Sequence, residues 1–294
     1  AGGKSPKKPR RVQTEWALCC IHGWSGSREE NAPTIHMLAE ALGANMYCGR
    51  LSGHGRGGTV GQELLDEASP AQLFQDAVDM MHVALRLGKK VVLFGSSTGG
   101  ALCAWLAAQP EFKGRVGSVV LVSPAFALAS PLYPILGPVM AQLRASLPAG
   151  AAAAVRQGII HAAQGRNKTP REIRSEDHQK YWSLWYPFAS ILTVIDIIWE
   201  VSRRVDFGSI RAPVMLVGSR IDPVINWGVT IDKYRALAGP KLCLTLEPRA
   251  LENHVLCSRI LSHDSVDEVV PVMIAWVQAK RTAPVYDPAV GLKE

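Results

Sequence analysis

Short, wholly apolar runs alternate with longer stretches of helical period along most of the chain. The first run is Trp16-Ala17-Leu18-Cys19-Cys20-Ile21, closed by His22-Gly23. From Pro33 to Leu42, residues Ile35, Leu38, Ala39 and Leu42 recur on one helical face, and Gly43 stops the pattern. Asn45 to Arg50 is strand-like and leads into Ser52-Gly53-His54-Gly55-Arg56-Gly57-Gly58. Ser69-Pro70 pairs an N-cap serine with a first-turn proline, which predicts a helix continuing to Leu87 and ending at Gly88. Val91-Val92-Leu93-Phe94 predicts a buried strand, followed at once by a helix from Gly99 to Ala108 and a strand from Val116 to Val122. The alternation resumes with a strand at Pro213 to Val217, a helix near Trp227 to Leu237, a strand at Leu242 to Leu246 and a final helix from about Asp264 to Arg281.

Continuous apolar runs are what strands buried on both faces look like. Alternated with helices, they predict an α/β fold: a mostly parallel sheet with helices on both faces. Between Ser123 and Asp206 the alternation breaks into an Ala-, Pro- and Trp-rich stretch of helical pattern, which reads as a helical cap inserted over one edge of the sheet. The predicted organisation is a flexible basic tail over 1–14, a core of 15–122 and 207–294, and the cap over 123–206. No charged residue occurs from Val116 to Leu143, but Pro124, Pro131, Pro134 and Pro138 divide that stretch into pieces too short for a membrane-spanning helix.

Length and charge narrow the picture further. At 294 residues the chain holds about one large domain, or a domain with an insertion, and needs no disulfide or metal staple. The net charge of +7 is uneven: five of the 32 bases (Lys4, Lys7, Lys8, Arg10, Arg11) fall in an acid-free N-terminal tail, so the body is near neutral. A near-neutral body lacks the basic face that nucleic acid requires, and no nucleic-acid partner is expected. The six cysteines show neither a C-x-x-C pair nor zinc-ligand spacing, and read as small buried hydrophobes. No metal or cofactor is expected. The N-terminal stretch has no apolar signal-peptide core, which favours the cytoplasm. A chain starting at Ala1 leaves secretion or envelope attachment open.

In open α/β sheets ligands bind beyond the carboxyl ends of the strands. Gly95-Ser96-Ser97-Thr98-Gly99 sits at such an end, between an apolar strand and a helix. A serine on a tight strand-to-helix turn needs small neighbours, and the helix N-terminus behind it favours developing negative charge. A serine hydroxyl also needs a base. Of eight histidines, His254 follows the last strand by a short loop. His36 and His82 lie in helical patterns, His161 and His178 in the insertion, and His263 at a helix start. Asp222 follows the 213–217 strand and is the candidate that orients the imidazole. His22-Gly23-Trp24-Ser25-Gly26 follows the first strand. The Trp24 N–H, with the Thr98 N–H, is the candidate pair of oxyanion donors. His22 is then structural.

The order Ser97, Asp222, His254, each one loop past a separate strand, resembles the α/β-hydrolase fold. Within it the chain resembles the monoacylglycerol lipase, lysophospholipase and carboxylesterase group. The resemblance rests on the segments above, with Leu51-Ser52-Gly53-His54-Gly55, Gly218 to Val224 and Asn253-His254-Val255-Leu256, and spans residues 16–281. It implies a serine hydrolase of carboxylic esters, with a small to medium acyl chain or a monoacylglycerol-like substrate, working through an acyl-enzyme. Lysophospholipase, thioesterase or perhydrolase chemistry, or a non-catalytic ligand-binding protein on the same fold, stand as alternatives. The substrate is a small-molecule or lipid ester; transient contact with a membrane surface and the oligomeric state stay open. His54, in the family's Gly-His-Gly segment, carries no catalytic role. Two departures stand out: family members commonly have further strands before the first one here, and Thr98 stands where Met or Leu is frequent.

The insertion holds Tyr133, Tyr181, Trp182, Trp185, Tyr186, Phe188 and Trp199 among branched aliphatics. Most read as packing the cap onto the body, and some as lining an acyl pocket. The pair Arg203-Arg204 reads as a solvated surface pair.

Overall fold

The computed structural model describes residues 13–56, 61–131, 133–162, 167–168, 173–246 and 252–279. In chain order the elements are β1 (Thr14–Ile21), α1 (Thr34–Ala41), β2 (Asn45–Cys48), α2 (Glu63–Asp66), α3 (Pro70–Leu87), β3 (Gly88–Ser96), α4 (Thr98–Ala108) and β4 (Val116–Val122). There follow α5 (Tyr133–Ser146), α6 (Ala149–Ala162), β5 (Asn167–Lys168), α7 (Glu176–Tyr181), β6 (Tyr186–Pro187) and α8 (Ile191–Arg204). The chain continues with β7 (Val214–Ser219), α9 (Trp227–Ala236), β8 (Lys241–Leu246) and α10 (His263–Gln278).

Six strands form one sheet in the order β2-β1-β3-β4-β7-β8, and every neighbouring pair is parallel. Period two divides each strand between two cores. Ala17, Cys19, Leu93, Leu121 and Leu216 face the layer of α3, α4 and α8. Leu18, Cys20, Val92, Val120 and Met215 face α1 and α10. Both faces are therefore dry, which is why these strands read as unbroken apolar runs. α3 starts where the sequence placed its cap: the Ser69 hydroxyl accepts the Gln72 N–H at 3.2 Å, with Pro70 in the first turn.

Several boundaries differ from the sequence reading. β1 starts at Thr14, ahead of the first apolar residue, because Thr14 pairs with Gly88 on β3. Of the expected basic tail only Gln13 and Thr14 lie within the described residues. β3 reaches back to Gly88 along the same ladder, and a one-turn helix, α2, stands ahead of α3. Residues beyond Ala279 of the expected last helix lie outside the described residues.

Residues 123–206 hold α5 to α8 and a two-stranded antiparallel pair of β5 and β6. α8 is the most amphipathic part of it. Its Ile197 and Val201 are fully buried in the core beneath α4, while Arg203 and Arg204 face out. Arg156 of α6 reaches α8, donating to the Thr193 hydroxyl at 3.1 Å and standing 3.8 Å from the buried Asp196 carboxylate. Among the described residues, no helix is long and apolar enough to cross a membrane.

The strand order places the site. The chain leaves β1 for β2 on one side, then returns to β3 on the other, so the crevice opens at the carboxyl ends of β1 and β3. Ile21 is level with Gly95, and Ser96 with Val122, so the loops after β1, β3 and β4 emerge together.

Candidate active site

Ser97 stands between β3 and α4 with φ 51° and ψ −117°, a conformation a residue with a Cβ rarely adopts. Holding it costs about 1–3 kcal/mol, which the surrounding hydrogen bonds must offset. Its N–H donates to Val122 O at 2.9 Å, and its carbonyl accepts from Ala101 N–H at 3.1 Å and Ala125 N–H at 2.9 Å. The flanking glycines are steric requirements. A Cβ on Gly99 would lie 2.1 Å from Ile21 O, and one on Gly95 would lie 2.4 Å from Gly99 O. The turn can thus close on itself only without a side chain at 95, and pack against β1 only without one at 99.

The Ser97 hydroxyl lies 3.0 Å from His254 Nε2. On the far side of the ring, His254 Nδ1 lies 2.8 Å and 3.1 Å from the two Asp222 carboxylate oxygens. Asp222 can only accept in its ionised form, so Nδ1 carries the hydrogen and Nε2 is left to accept from the Ser97 hydroxyl. Asp222 Oδ1 also accepts the N–H groups of Val224 at 2.8 Å and Ile225 at 3.0 Å, which fixes the carboxylate on the turn after β7. Burial works against a charge on His254, but the Asp222 charge and hydrogen bond, with Glu252 and Glu30 behind them, outweigh it and raise its pKa above the ordinary value.

The loop after β1 lies on the other side of Ser97: a Cβ on Gly23 would come 3.2 Å from Ser97 Cβ. His22 organises this loop. Its Nδ1 lies 2.9 Å from Gly23 O, which can only accept, and its Nε2 accepts the Leu51 N–H at 3.2 Å. Only the neutral ring with hydrogen on Nδ1 makes both bonds. Burial drives the His22 pKa down to about 4, in keeping with that tautomer. Gly23 O also accepts the Gly26 N–H at 3.2 Å. The peptide is planar and trans, so pinning Gly23 O on one side aims the Trp24 N–H to the other. Thr98 N–H belongs to the first turn of α4, where helical N–H groups have no partner. Neither N–H finds an acceptor among the described residues.

The remaining histidines lie apart. His36, His82, His161 and His263 are exposed, and His82 pairs with Glu111 at 3.4 Å. His178 accepts the Arg174 N–H at 3.3 Å. His54 is buried edge-on to Trp24, with its Nδ1 on Ser52 O at 2.9 Å and its pKa lowered to about 3 by burial and His22.

Two carboxylates carry structure that the sequence reading left without a role. Glu252 Oε1 accepts the His254 N–H at 2.7 Å and the Val255 N–H at 3.2 Å, while its Oε2 pairs with Arg174 at 2.9 Å. Glu30 is fully buried and accepts the Gly23 N–H at 3.0 Å. Glu252 could have been suspected from its place two residues before His254. Glu30 sits in the polar run Arg28-Glu29-Glu30, where nothing distinguishes it from a solvated neighbour. Segment 173–187 also touches the site, through Ser183 N–H on Ser25 O at 2.8 Å and Tyr186 edge-on to Trp24. Among the described residues, no group of three or more His, Cys, Asp and Glu is arranged to hold a metal ion.

Comparisons with known proteins agree with this architecture. No curated protein sequence matches the chain. Its structure is similar to one reported for LipS and LipT, two metagenome-derived lipolytic enzymes, at 20% identity and a TM-score of 0.64, covering 91% of this chain and 95% of that one. It is also similar to the monoacylglycerol lipase of Paleococcus ferrophilus, at 18% identity and a TM-score of 0.60 over 91% and 96% of the two chains. A soluble variant of the monoglyceride lipase of Saccharomyces cerevisiae matches at 14% identity and a TM-score of 0.59, over 92% and 88%. At such identities the likeness is one of fold. The sequence model of the alpha/beta hydrolase fold matches residues 17–248, most of the chain, and the protein therefore belongs to the α/β-hydrolase fold family.

Proposed function

We propose that the protein is a serine hydrolase that cleaves carboxylic esters of small to medium acyl chain, or monoacylglycerol-like esters, through an acyl-enzyme. The observation that carries this reading is the Ser97–His254–Asp222 relay, with bonds of 3.0 Å and 2.8 Å at a strained strand-to-helix turn. In this reading Ser97 Oγ attacks the acyl carbonyl as its proton passes to His254 Nε2. Negative charge develops on the carbonyl oxygen and is held by the N–H groups of Trp24 and Thr98. The ester C–O bond then breaks, and the leaving alkoxide takes the proton from His254. Water enters, gives a proton to His254, attacks the acyl group, and the proton returns to Ser97 as the acid departs. Asp222 stays ionised throughout and steadies the imidazolium.

Residues 123–206 act in this reading as a cap whose apolar inner face selects the acyl chain. In support, Trp185, within the segment that touches the loop after β1, and Phe188, next to it, leave 39% and 57% of their surface exposed. Each methylene buried in a fitted pocket is worth about 0.8 kcal/mol, roughly fourfold in rate constant. A series of p-nitrophenyl esters, with a long-chain monoglyceride alongside, tests both parts. The expected result is a stepwise rise in kcat/KM with chain length and then a cutoff, all of it lost in Ser97→Ala. Absence of turnover on every ester, or full activity in a folded Ser97→Ala, would overturn the reading.

A further inference from the structure

We infer that Glu30 is a positioning residue: it pins the loop carrying the Trp24 N–H and sets a buried carboxylate against Ser97, on the side away from Asp222. This rests on the ester-hydrolase reading above and deepens it.

A carboxylate in a dry interior needs a reason, because desolvation disfavours it strongly. Glu30 is 2% exposed, on the short 3₁₀ turn Arg28–Asn31. Its neighbours on that turn, Arg28 and Glu29, pair with each other at 3.1 Å at the surface, so neither neutralises it. Its carboxylate occupies space that two glycines leave open. A Cβ on Gly26 would lie 2.1 Å from Glu30 Oε2, and one on Gly23 would lie 2.9 Å from Oε1. Into that space Gly23 donates its N–H at 3.0 Å.

The Gly23 residue is thereby held at both ends: its N–H by Glu30, its carbonyl by His22 Nδ1 and Gly26 N–H. Once both flanking peptides are fixed, the direction of the Trp24 N–H is fixed with them. Oxyanion donors act through preorganisation, so an acceptor that prevents this loop from relaxing acts on the transition state more than on bound substrate.

The second action is electrostatic. A Cβ on Gly23 would meet both Glu30 Oε1 at 2.9 Å and Ser97 Cβ at 3.2 Å, so the Glu30 carboxylate stands against the serine whose hydroxyl lies 3.0 Å from His254 Nε2. The other charged groups about His254 are Asp222 on the turn after β7 and Glu252 on its own loop, with Arg174 on the outer oxygen of Glu252. Glu30 faces the Gly23 N–H, Ser96 at the end of β3, and His254. Burial pushes the Glu30 carboxyl up to about 7, and these three neighbours pull it part of the way back. Its charge therefore changes within the pH range where a serine hydrolase of this kind gains its activity.

Two variants separate the actions. Glu30→Gln keeps an oxygen acceptor for the Gly23 N–H but removes the charge. Its kcat at pH 8 should fall by less than that of Glu30→Asp. The acid limb of its kcat/KM profile should move to lower pH, because His254 loses a carboxylate that raised its pKa. Glu30→Asp keeps the charge but is one methylene short of the Gly23 N–H. It should lower kcat about tenfold with KM little changed, and leave the acid limb near its wild-type position. Profiles measured on one p-nitrophenyl ester, with thermal melts of each variant, decide the matter. Wild-type kcat and an unmoved acid limb in both variants would overturn the inference. A Glu30→Gln protein that does not fold would overturn it too, since the amide satisfies the same bond. Either result leaves Ser97-dependent ester turnover intact, whereas failure of the underlying reading would show as no such turnover in the wild type.

Discussion

Two loops flank Ser97, and each carries a buried histidine, yet their surroundings send the pKa values of the two rings in opposite directions. His254 has Asp222 on Nδ1 and Glu252 and Glu30 nearby, and its pKa is raised. His22 has a carbonyl on Nδ1, a backbone N–H on Nε2 and Arg50 in the neighbourhood, and its pKa falls to about 4. Depth does not separate them, because both are buried. Partner chemistry does: a carboxylate on the outer nitrogen makes a base, whereas backbone partners on both nitrogens make a neutral strut. In the proposed mechanism these two loops would supply the two halves of acyl transfer, a proton carrier on one side and rigid donors on the other.

Breaking the two sides separately should give losses of very different size. His254→Ala should lower kcat/KM by about 10⁴-fold or more, close to the loss in Ser97→Ala, since such groups act as a unit. His22→Asn, which perturbs the donor loop alone, should cost about 10²-fold and leave the remaining activity dependent on His254. Steady-state kinetics on folded variants checks this, and an inactive His22→Asn beside an active His254→Ala would reverse the assignment. Asp222→Asn sharpens the comparison further. It keeps the turn but offers His254 a neutral partner, with an expected loss of up to about 10⁴-fold.

The struts leave a signature in stability. His22 and His54 are held neutral in the folded chain, with pKa values lowered to about 4 and about 3. The unfolded chain therefore binds protons that the folded chain refuses. Their contribution is fully present above about pH 6.5 and is lost as pH falls towards 4, at a few kcal/mol for the pair. Glu30 runs the other way. Its folded pKa of about 7 lies above the ordinary carboxyl value, so its contribution is present below about pH 4.5 and lost as pH rises through 7. Urea midpoints should thus fall for the wild type between pH 7 and pH 5. Glu30→Gln should gain on wild type from pH 5 to pH 8.

A smaller effect concerns the contact between segment 173–187 and the base. Arg174→Met removes the partner of Glu252, which holds the His254 and Val255 N–H groups. The pair is partly exposed, so kcat should fall only about threefold, with KM for short acyl esters unchanged. A larger loss for long chains than for acetate would tie this contact to the cap.

Most of this arrangement can be read from residue order. Ser97, Asp222 and His254 each follow an apolar strand, and parallel strands bring such loops to one edge. Gly95 and Gly99 announce the tight turn because a side chain at 99 would strike Ile21 O and one at 95 would strike Gly99 O. What escapes the sequence is set by packing at a distance. Glu30 and Glu29 are alike in pattern, and only the space left by Gly23 and Gly26 buries one of them. Likewise α8 reads as part of an insertion, yet Ile197 and Val201 lie in the sheet's own core, because β4 and β7 pair across it and draw its ends together.

The central claim is that Ser97, and no other serine, forms the covalent acyl intermediate. Peptide mapping after reaction with a serine-directed fluorophosphonate tests it most directly, with activity followed in the same sample. The account requires one label per chain, on Ser97, with activity lost in proportion and labelling abolished in His254→Ala. A label on another serine, or full loss of activity with Ser97 unmodified, would contradict it.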